Sequence, residues 1–339
     1  MNRLFPGPVR PENLPAVQQA PLTPPPGGWF VASGHHAIRL LLRYNRLQPG
    51  ARIAVPALIC PTVISAIRAE GMIADFVDID PELQMMAFDA EQFSRRGFDL
   101  ILLPHLYGLP HPRTREIRAF ARSSATPLIH DAAQSFGVTL DGVPLVTLDQ
   151  GGLYSFGPGK STTAATGGLV YGLAPEWATR FGLDRLGYWD PAARFFLRRR
   201  AGLSAGVSGL LAGIGVAGRR GWHASRLQAQ AGNWVIHQLP RIEAERRANW
   251  MALREWLGHE LIGLPAERIS CFKYVFKSGD PDWQPPPELA MIPWRRVVRH
   301  PAQGDLPNYA SISESLIELS TERSLAEFQA LAAAERGNA

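Results

Sequence analysis

The sequence predicts an α/β fold in which a mostly parallel central sheet is sandwiched by helices and followed by a smaller C-terminal α+β domain. Strand-like and helix-like segments alternate over residues 29–172, an order typical of a parallel sheet with helices on both faces. From residue 223 a long helical pattern precedes short strand-like runs. We therefore divide the chain into an N-terminal arm (1–28), a large domain (29–235) and a small domain (236–339).

The N-terminal arm is rich in proline and lacks the apolar core of a signal peptide. Proline fixes φ and has no N–H donor, which disfavours regular structure. We expect an extended arm that lies on the surface of its own or a neighbouring subunit.

The large domain is predicted to begin with a helix that Ser33 caps, because apolar residues recur at helical spacing from Ala37 to Leu47. The segments that follow are, in chain order, a strand "ARIAVP", a helix "CPTVISAIRAEG", a strand "IADFVDID", an apolar run "FDLILLPHLYG", a basic helix "HPRTREIRAFARSS" and a strand "TPLIHD". In such sheets ligands bind at the carboxyl ends of the strands, so polar residues after these strands are site candidates.

The second half of the chain has a different pattern. A long helix is predicted from residue 223, and Pro240 can kink or split it. "RISCFKYVFK" and "WRRVVRH" indicate strands of a small sheet, whereas "SISESLIEL" and "SLAEFQALAAAE" indicate helices.

A glycine-rich apolar segment lies in a predicted helical insertion at about residues 185–220, between arginines at both ends. Four glycines share one helical face: Gly202, Gly206, Gly209 and Gly213. The segment has too few large aliphatic residues for a transmembrane helix. Close packing of the glycine face against a partner is our first interpretation, and peripheral contact with a membrane surface is the second.

Charge and cysteine content exclude several classes of protein. A net charge of +5 over 339 residues, spread as arginine among acids, does not indicate a nucleic-acid partner. The two cysteines, Cys60 and Cys271, form neither a disulfide framework nor a metal-binding spacing. This usage fits a cytoplasmic protein.

Three polar features follow predicted strands of the large domain. "ASGHHA" opens a helix and offers free backbone N–H groups to an anion such as a phosphate. "HDAAQSFG" places the carboxyl group of Asp131 at a strand tip, with Gln134 three residues later. "SFGPGKSTTAATGG" supplies the hydroxyl group of Ser155 and Lys160, one of three lysines in the chain. An amine, a carboxylate and an anion-binding turn together meet the needs of pyridoxal phosphate.

Each feature has a simpler explanation when taken alone. An aspartate at the end of a strand commonly caps a turn, and a glycine-rich segment is commonly only a turn. A single lysine is commonly a solvated surface residue. The occurrence of all three on consecutive strand–helix units favours one shared site.

These stretches resemble the DegT/DnrJ/EryC1/StrS family of sugar aminotransferases, which are fold-type I enzymes that use pyridoxal 5'-phosphate to make aminosugars on nucleotide carriers. The motifs that carry the resemblance are "LPHLYGLP", "PLIHDAAQSFGV" and "LYSFGPGKSTTAATGGLVYG". The resemblance extends over residues 31–171 and resumes at "SRLQAQAGNWVIHQLPRIEAERRANW", which is similar to a long helix of that family. It implies a fold-type I PLP-transferase.

The resemblance also implies roles for individual residues. Lys160 would form the Schiff base with pyridoxal 5'-phosphate and would act as general base. Asp131 would pair with the pyridinium nitrogen of the cofactor. Gln134 would contact the 3-hydroxyl side of the ring, and Ser155 would bind the phosphate group.

Four further residues occupy the family's cofactor-binding positions with altered side chains. Gly34, His35 and His36 stand in the phosphate-binding turn, where a threonine is usual at the place of the first histidine. His35 is either a substitute phosphate ligand or a packing residue at the helix start. Cys60 stands where an aromatic residue often stacks on the ring, and it either contacts the ring or is a buried packing cysteine.

The family is also expected to form homodimers whose two active sites are shared across the interface. An asparagine that usually reaches the neighbouring subunit's phosphate is replaced by Gly221, and a nearby arginine by His223. Either Arg219, Arg220 or His223 replaces this contact, or the contact is absent.

The resemblance implies transfer of an amino group, from glutamate in most of the family, to a keto-sugar nucleotide. One alternative is a catalytically inactive relative that acts as a partner subunit or regulator, because the aromatic residue and the asparagine are both replaced. A second alternative is an aminotransferase that acts on a non-sugar ketone or aldehyde. The C-terminal part resembles the family only loosely, so the identity of the sugar does not follow.

Overall fold

The computed structural model describes most of the large domain and parts of the small one. The described residues are 13–82, 85–157, 159–162, 164, 166–187, 221–257, 270–278, 284–285, 294–296, 306–312 and 316–321. Three sequence predictions therefore lie outside the described residues: the structure of the arm over 1–12, the insertion over 188–220 and the helix "SLAEFQALAAAE".

A seven-stranded sheet forms the centre of the large domain. Its strands are β1 (Gly28–Val31), β2 (Arg52–Pro56), β3 (Ile73–Val77), β4 (Leu100–Pro104), β5 (Leu128–Asp131) and, after the short pair β6 (Thr139–Leu140) and β7 (Val143–Pro144), β8 (Gly152–Ser155) and β9 (Gly168–Tyr171). The strand order is β1-β9-β8-β5-β4-β2-β3. The β3–β2, β2–β4, β4–β5 and β5–β8 pairings are parallel, and the β8–β9 and β1–β9 pairings are antiparallel. The predicted mostly parallel sheet is confirmed.

Helices follow the strands in the predicted alternation. They are α1 (Leu14–Gln18), α2 (Gly34–Tyr44), α3 (Pro61–Ala69), α4 (Ala90–Arg96), α5 (Thr114–Ser123) and α6 (Pro175–Arg180). Ser33 caps α2 as predicted, since its side chain accepts a hydrogen bond from the amide of His36. Helix α4 ends at Gly97, whose left-handed φ of +60° suits a residue without a side chain.

Helices cover both faces of the sheet, as the continuous apolar strands predict. Alternate residues of β4 point to opposite faces, so Leu100 and Leu102 belong to the cluster that contains α2 and α3. Ile101 and Leu103 instead belong to the cluster that contains Ile117 of α5. Both clusters are buried and place the ends of β4 and β5 at fixed positions.

The described part of the arm packs on its own chain and is not wholly extended as predicted. Leu14–Gln18 form the short helix α1, which Pro15 favours because proline suits the first turn of a helix. Val17 is fully buried, and the side chain of Asn233 donates hydrogen bonds to the carbonyls of Pro21 and Thr23. These contacts fix the arm to the long helix α7 (Arg226–Leu257).

Helix α7 is continuous over 32 residues even though Pro240 lies inside it. Proline was expected to kink or split this helix, and the structure keeps it as one element. The proposed boundary between residues 235 and 236 falls within this helix, and the division into two domains stays a prediction. Among the helices that the structure describes, none combines the length and apolarity needed to cross a bilayer.

The C-terminal part forms a second, antiparallel sheet of β10 (Lys273–Lys277), β11 (Trp294–Arg296) and β12 (Leu316–Ser320), with helix α8 (Pro307–Ile312) before the last strand. Strands β10 and β11 confirm two predictions. The prediction of a helix over "SISESLIEL" is wrong, because its second half is strand β12. The carboxylate of Glu318 in this strand pairs with Lys273 inside the sheet.

Candidate functional site

The candidate site lies where the carboxyl ends of β5 and β8 meet the start of α2. Asp131 is the last residue of β5 and pairs in register with Leu153 of β8. The amide of Ala132 donates to the carbonyl of Leu153 at 3.0 Å, which holds the end of β5 against β8. Ser155 is the last residue of β8. The fold thus gathers the predicted residues at one edge of the sheet, as expected for parallel strands.

The predicted anion-binding turn is tightly packed against β8 and β9. Ser33 pairs with Gly167, which joins the turn to the residue before β9. A side chain at Gly34 would place its Cβ 3.0 Å from both Cβ and Oγ of Ser155. A Cβ at Gly168 would lie 3.1 Å from the amide nitrogen of Gly34. The glycines therefore allow the Ser155 hydroxyl group to approach the N-terminus of α2, where free amides favour an anion.

The two histidines of the turn face different neighbours. Nδ1 of His35 lies 3.2 Å from the carbonyl oxygen of Thr62 and 3.3 Å from Oγ of Ser65, both on α3. His36 is buried and its Nδ1 lies 2.8 Å from the hydroxyl of Ser33. The ring of His36 also packs edge-on against Trp222, with centroids 5.6 Å apart. His36 thus stabilises the turn from within, while His35 lies on its more open side.

Cys60 begins helix α3 and is exposed, so the alternative of a buried packing cysteine is wrong. Its Sγ lies 3.1 Å from Oγ1 of Thr62, the residue whose carbonyl faces His35. The structure thus places Cys60 on the same side of the turn as His35. Whether it contacts a cofactor ring stays a prediction.

The carboxyl group of Asp131 is buried and feels the charge of Lys160. Burial raises the pKa of Asp131 above its ordinary value, and the Lys160 ammonium group opposes that rise. The amide of Ala133 donates to Oδ1 of Asp131 at 3.0 Å and also favours the ionised form. The structure therefore brings the predicted amine and the predicted acid into one electrostatic unit.

Gln134 is fixed by a loop that follows β4. Its Oε1 accepts a hydrogen bond from the amide of Tyr107 at 3.1 Å. The loop belongs to "LPHLYGLP", one of the motifs that carry the family resemblance. The side-chain amide of Gln134 is therefore oriented by the backbone, with its nitrogen left as a donor.

Comparison with known protein families agrees with this arrangement. A family model described as the DegT/DnrJ/EryC1/StrS aminotransferase family matches residues 29–259. This chain belongs to that family. The matched range includes the turn, both strand ends and the whole of α7.

Two curated relatives are each similar to part of the chain. The UDP-N-acetyl-3-dehydro-alpha-D-glucosamine 3-aminotransferase of Acidithiobacillus ferrooxidans is 30% identical over 162 residues, 47% of this chain and 44% of that protein. The GDP-perosamine synthase of Escherichia coli O157:H7 is 33% identical over 142 residues, 41% of this chain and 38% of that protein. The chain thus spans less than half the length of these relatives.

Solved structures of family members share the fold over nearly the whole chain. A DegT DnrJ EryC1 StrS aminotransferase from Brucella abortus superimposes with a TM-score of 0.66 and 21% identity, covering 91% of this chain and 85% of that one. The fold-type I architecture predicted from the family resemblance is confirmed.

Two hydroxyl-bearing residues of the site escaped the sequence prediction, although they directly follow Lys160. Ser161 accepts a hydrogen bond from the amide of Phe136 at 3.4 Å, which joins the Lys160 turn to the turn after Asp131. The hydroxyl group of Thr162 is buried and has no hydrogen-bond partner among the residues that the structure describes. An unpaired buried hydroxyl group is costly, which indicates that this position faces a missing polar partner.

Gln228 is a third residue that sequence reasoning missed, although it lies in the family's helix motif. Its Nε2 donates to the carbonyl of Ala32 at 3.2 Å and to Oγ1 of Thr166 at 2.6 Å. It also forms a capping box with Ser225 at the start of α7. Gln228 thus fixes the residue before the anion-binding turn.

The region of the expected cross-subunit contact is described only in part. Gly221 and His223 lie within the described residues, whereas Arg219 and Arg220 do not. His223 pairs with Val31, and a Cβ at Gly221 would lie 2.9 Å from its ring. His223 therefore packs beside Val31 of β1, which lies two residues before Ser33. Its role toward a second subunit stays a prediction.

Proposed function

We propose that this chain is a pyridoxal 5'-phosphate-dependent aminotransferase that moves an amino group to a keto-sugar nucleotide. The observation that carries the proposal is the meeting of the buried Asp131 at the end of β5, Ser155 at the end of β8 and the Gly34 turn at the start of α2. Membership of the aminotransferase family and the substrates named for the two relatives support the reaction and the substrate class.

The residues present fit such a cofactor. The Gly34 cradle, which a Cβ would fill, keeps open the approach between the amides of α2 and the Ser155 hydroxyl group. The buried hydroxyl group of Thr162 lies two residues from Lys160 and needs a polar partner. A buried acid that accepts a backbone hydrogen bond and lies within the influence of an amine is an environment suited to a protonated pyridine ring.

Each polar group of the cofactor has a candidate partner. Lys160 would hold its aldehyde carbon and Asp131 its ring nitrogen. Ser155 and the amides at the start of α2 would hold the phosphate, with His35 beside them, while Gln134 would face the 3-hydroxyl group. When bound, pyridoxal 5'-phosphate supplies an aldehyde that captures amines and a ring that accepts electrons from the substrate carbon.

The chain's own residues then perform the proton transfers. Nζ of Lys160 would take the proton from Cα of the amino donor and return a proton to the carbonyl carbon of the acceptor. Asp131 must stay ionised through both steps, and the hydrogen bond from the amide of Ala133 favours that form. The sheet edge excludes water from the acid, which is buried at 7% exposure.

We also propose glutamate as the amino donor, a homodimer with shared active sites and a cytoplasmic location. The donor and the dimer rest on the resemblance to the family. The location is supported by Cys60 and Cys271, which are both unpaired.

The test is cofactor binding followed by a half-reaction. We expect wild-type protein incubated with pyridoxal 5'-phosphate to gain a visible absorption band, and Lys160→Ala to lack it. Lys160→Arg is the matched control, because it keeps the charge beside Asp131 but cannot attach to an aldehyde. Addition of glutamate to the loaded wild type should release 2-oxoglutarate and remove the band.

The outcomes separate the alternatives. A band without release of 2-oxoglutarate from glutamate or another amino acid would favour the inactive relative that serves as a partner subunit or regulator. Amination of a simple ketone or aldehyde, with no turnover of keto-sugar nucleotides, would favour the non-sugar acceptor. Absence of any band in wild type would overturn the proposal.

A further inference from the structure

Behind the candidate site, four side chains form a continuous hydrogen-bond chain along the sheet. Nε2 of His105 lies 3.0 Å from Nδ1 of His130, and Nε2 of His130 lies 3.0 Å from Oδ2 of Asp149. Asp149 also accepts a hydrogen bond from Nε of Arg118 on α5 at 2.7 Å. Both imidazole rings are fully buried, and their planes are nearly parallel, with an interplanar angle of 15°. None of the four is among the residues that we expect to touch cofactor or substrate.

The backbone fixes the direction of this chain. The amide of His111 donates to Nδ1 of His105 at 2.9 Å, so that nitrogen carries no proton. The proton of neutral His105 is therefore on Nε2 and points to Nδ1 of His130, which must then donate from Nε2 to Asp149. Burial lowers the pKa of both histidines, which keeps them neutral near pH 7. Since all four ring nitrogens are engaged, the pair is not a metal site.

The chain ends on a loop, residues 105–111, that follows β4. The amide of His105 donates to the carbonyl of Asp131 at 2.9 Å. The hydroxyl group of Ser135 donates to the carbonyls of His105 at 2.9 Å and Leu109 at 3.2 Å. The bond from the His111 amide to the His105 ring closes the loop across six residues. The His105 ring is thus the point at which the loop is tied to the sheet.

Tyr107 is the residue of this loop that reaches the candidate site. Its amide donates to Oε1 of Gln134 at 3.1 Å, and its carbonyl accepts from the amide of Lys273 at 3.2 Å. Its φ of +61° is uncommon for a residue with a side chain and persists only when neighbouring contacts hold it. The loop closure made by His105 is such a contact.

We propose that His105 is a positioning residue for the candidate site. One nitrogen of its ring bonds to His130, which in turn bonds to Asp149. The other nitrogen accepts from the His111 amide and closes the loop, and the closed loop directs the Tyr107 amide to Gln134. The role of Gln134 as a cofactor ligand rests on the proposed function, whereas the hydrogen-bond chain and the loop closure do not.

The first experiment examines the chain in wild-type protein without cofactor. Long-range ¹H–¹⁵N correlation spectra of ¹⁵N-histidine-labelled protein report which ring nitrogen carries the proton. We expect His105 and His130 to be neutral with the proton on Nε2 in both. A proton on Nδ1 of His105 would overturn the proposal, because that nitrogen could not accept from His111.

The second experiment separates the two nitrogens of His105 by substitution. In His105→Asn the side-chain oxygen takes the place of Nδ1 and still accepts from His111. In His105→Gln the side-chain amide reaches the place of Nε2 and still donates to His130, but the acceptor for His111 is lost. His237→Gln, at an exposed position on α7, is the control.

The loop closure should depend more on the Nδ1 position than on the Nε2 position. We expect His105→Gln to speed hydrogen exchange of the His111 and Tyr107 amides and to weaken pyridoxal 5'-phosphate binding about tenfold, the size of one lost buried hydrogen bond. His105→Asn keeps the acceptor for His111 but leaves Nδ1 of His130 without its donor, so its effects in both measurements should be clearly smaller than those of His105→Gln. Equal effects of the two substitutions, or none in either, would overturn the proposal.

Failure of the proposed function gives a different result. If wild-type protein binds no cofactor, the proton positions and the hydrogen-exchange pattern still decide whether His105 closes the loop. If wild type binds cofactor but exchange of the Tyr107 amide is unchanged in His105→Gln, only the positioning role is lost.

Discussion

The two sheets of this protein keep their polar residues in different places. In the seven-stranded sheet, Asp131 and Ser155 are the last residues of their strands and lie at the candidate site. In the C-terminal sheet, Lys273 and Glu318 pair with each other across β10 and β12, and both are buried. A polar group at a strand end is available for chemistry, whereas a charge inside a sheet is neutralised by its partner. The family match likewise covers the first sheet and stops before the second.

The largest loss of stability is expected at Gly152, where β8 and β5 lie too close together to admit a side chain. A Cβ at Gly152 would lie 2.4 Å from the carbonyl oxygen of His130, so Gly152→Ala must separate β8 from β5. We expect a loss of about 5 kcal/mol in the free energy of unfolding, measured by urea denaturation. Gly142→Ala, in the β6–β7 turn with open space around it, is the matched control and should cost about 1 kcal/mol. Equal losses in both variants would contradict the close approach at Gly152.

The next prediction concerns the buried ion pair of the second sheet. Glu318→Leu leaves the Lys273 ammonium buried without its carboxylate, and we expect a loss of about 4 kcal/mol. The double variant Glu318→Leu with Lys273→Met should recover most of that loss, because it removes both charges. If the double variant were as unstable as Glu318→Leu, the unpaired charge of Lys273 would not explain the loss.

Acidification should act mainly on the first sheet and its loops. Burial lowers the pKa of His111 to about 4 from its ordinary value of 6.5. Between these pH values the unfolded chain binds a proton that the folded chain does not, so its stabilising contribution is complete above pH 6.5 and lost toward pH 4. The loss should reach about 3 kcal/mol.

The measurement for His111 compares urea denaturation at several pH values between 7 and 4 in wild type and His111→Asn. Asparagine can still accept from the amide of Arg113, as Nδ1 of His111 does, but it does not titrate. The variant should lose less stability on acidification than wild type. An identical pH dependence of wild type and His111→Asn would show that another group causes the loss of stability on acidification.

The smallest effect is expected at the start of α7. Ser225→Ala removes the side-chain oxygen that accepts from the amide of Gln228 and should cost about 1 kcal/mol. Ser225→Asp retains an acceptor and should lie close to wild type. Thermal unfolding of both variants checks this, and a loss in the aspartate variant as large as in alanine would exclude the cap as the cause.

The order of strands and helices in the first sheet could be predicted because each unit is local. Apolar runs of "LILLP" and "PLIHD" type, followed by amphipathic helices, define parallel units without knowledge of distant residues. The predicted site residues at the ends of these strands were identified through their order and the family resemblance. The structure places them at one edge of the sheet.

What the sequence could not show depends on partners far apart in the chain. The segment of β12 was predicted as a helix, and the partner of its buried Glu318, Lys273, lies 45 residues away. Gln228 bonds to Ala32 across 196 residues, and His105 bonds to His130 across 25. No local pattern indicates such pairs, so the sequence did not point to the residues that orient the candidate site.

Helix α7 is one continuous element that is hydrogen-bonded to the rest of the molecule near both ends. Gln228 attaches it to the carbonyl of Ala32, and Asn249 donates to the carbonyl of Thr321 just after β12. These anchors are about 30 Å apart at the rise of an α-helix. The residue before the candidate anion-binding turn and the residue after β12 are therefore attached to the same helix. Pro240 lies between the two attachment points and lacks the N–H of one helical hydrogen bond, so it is the weakest point of this connection.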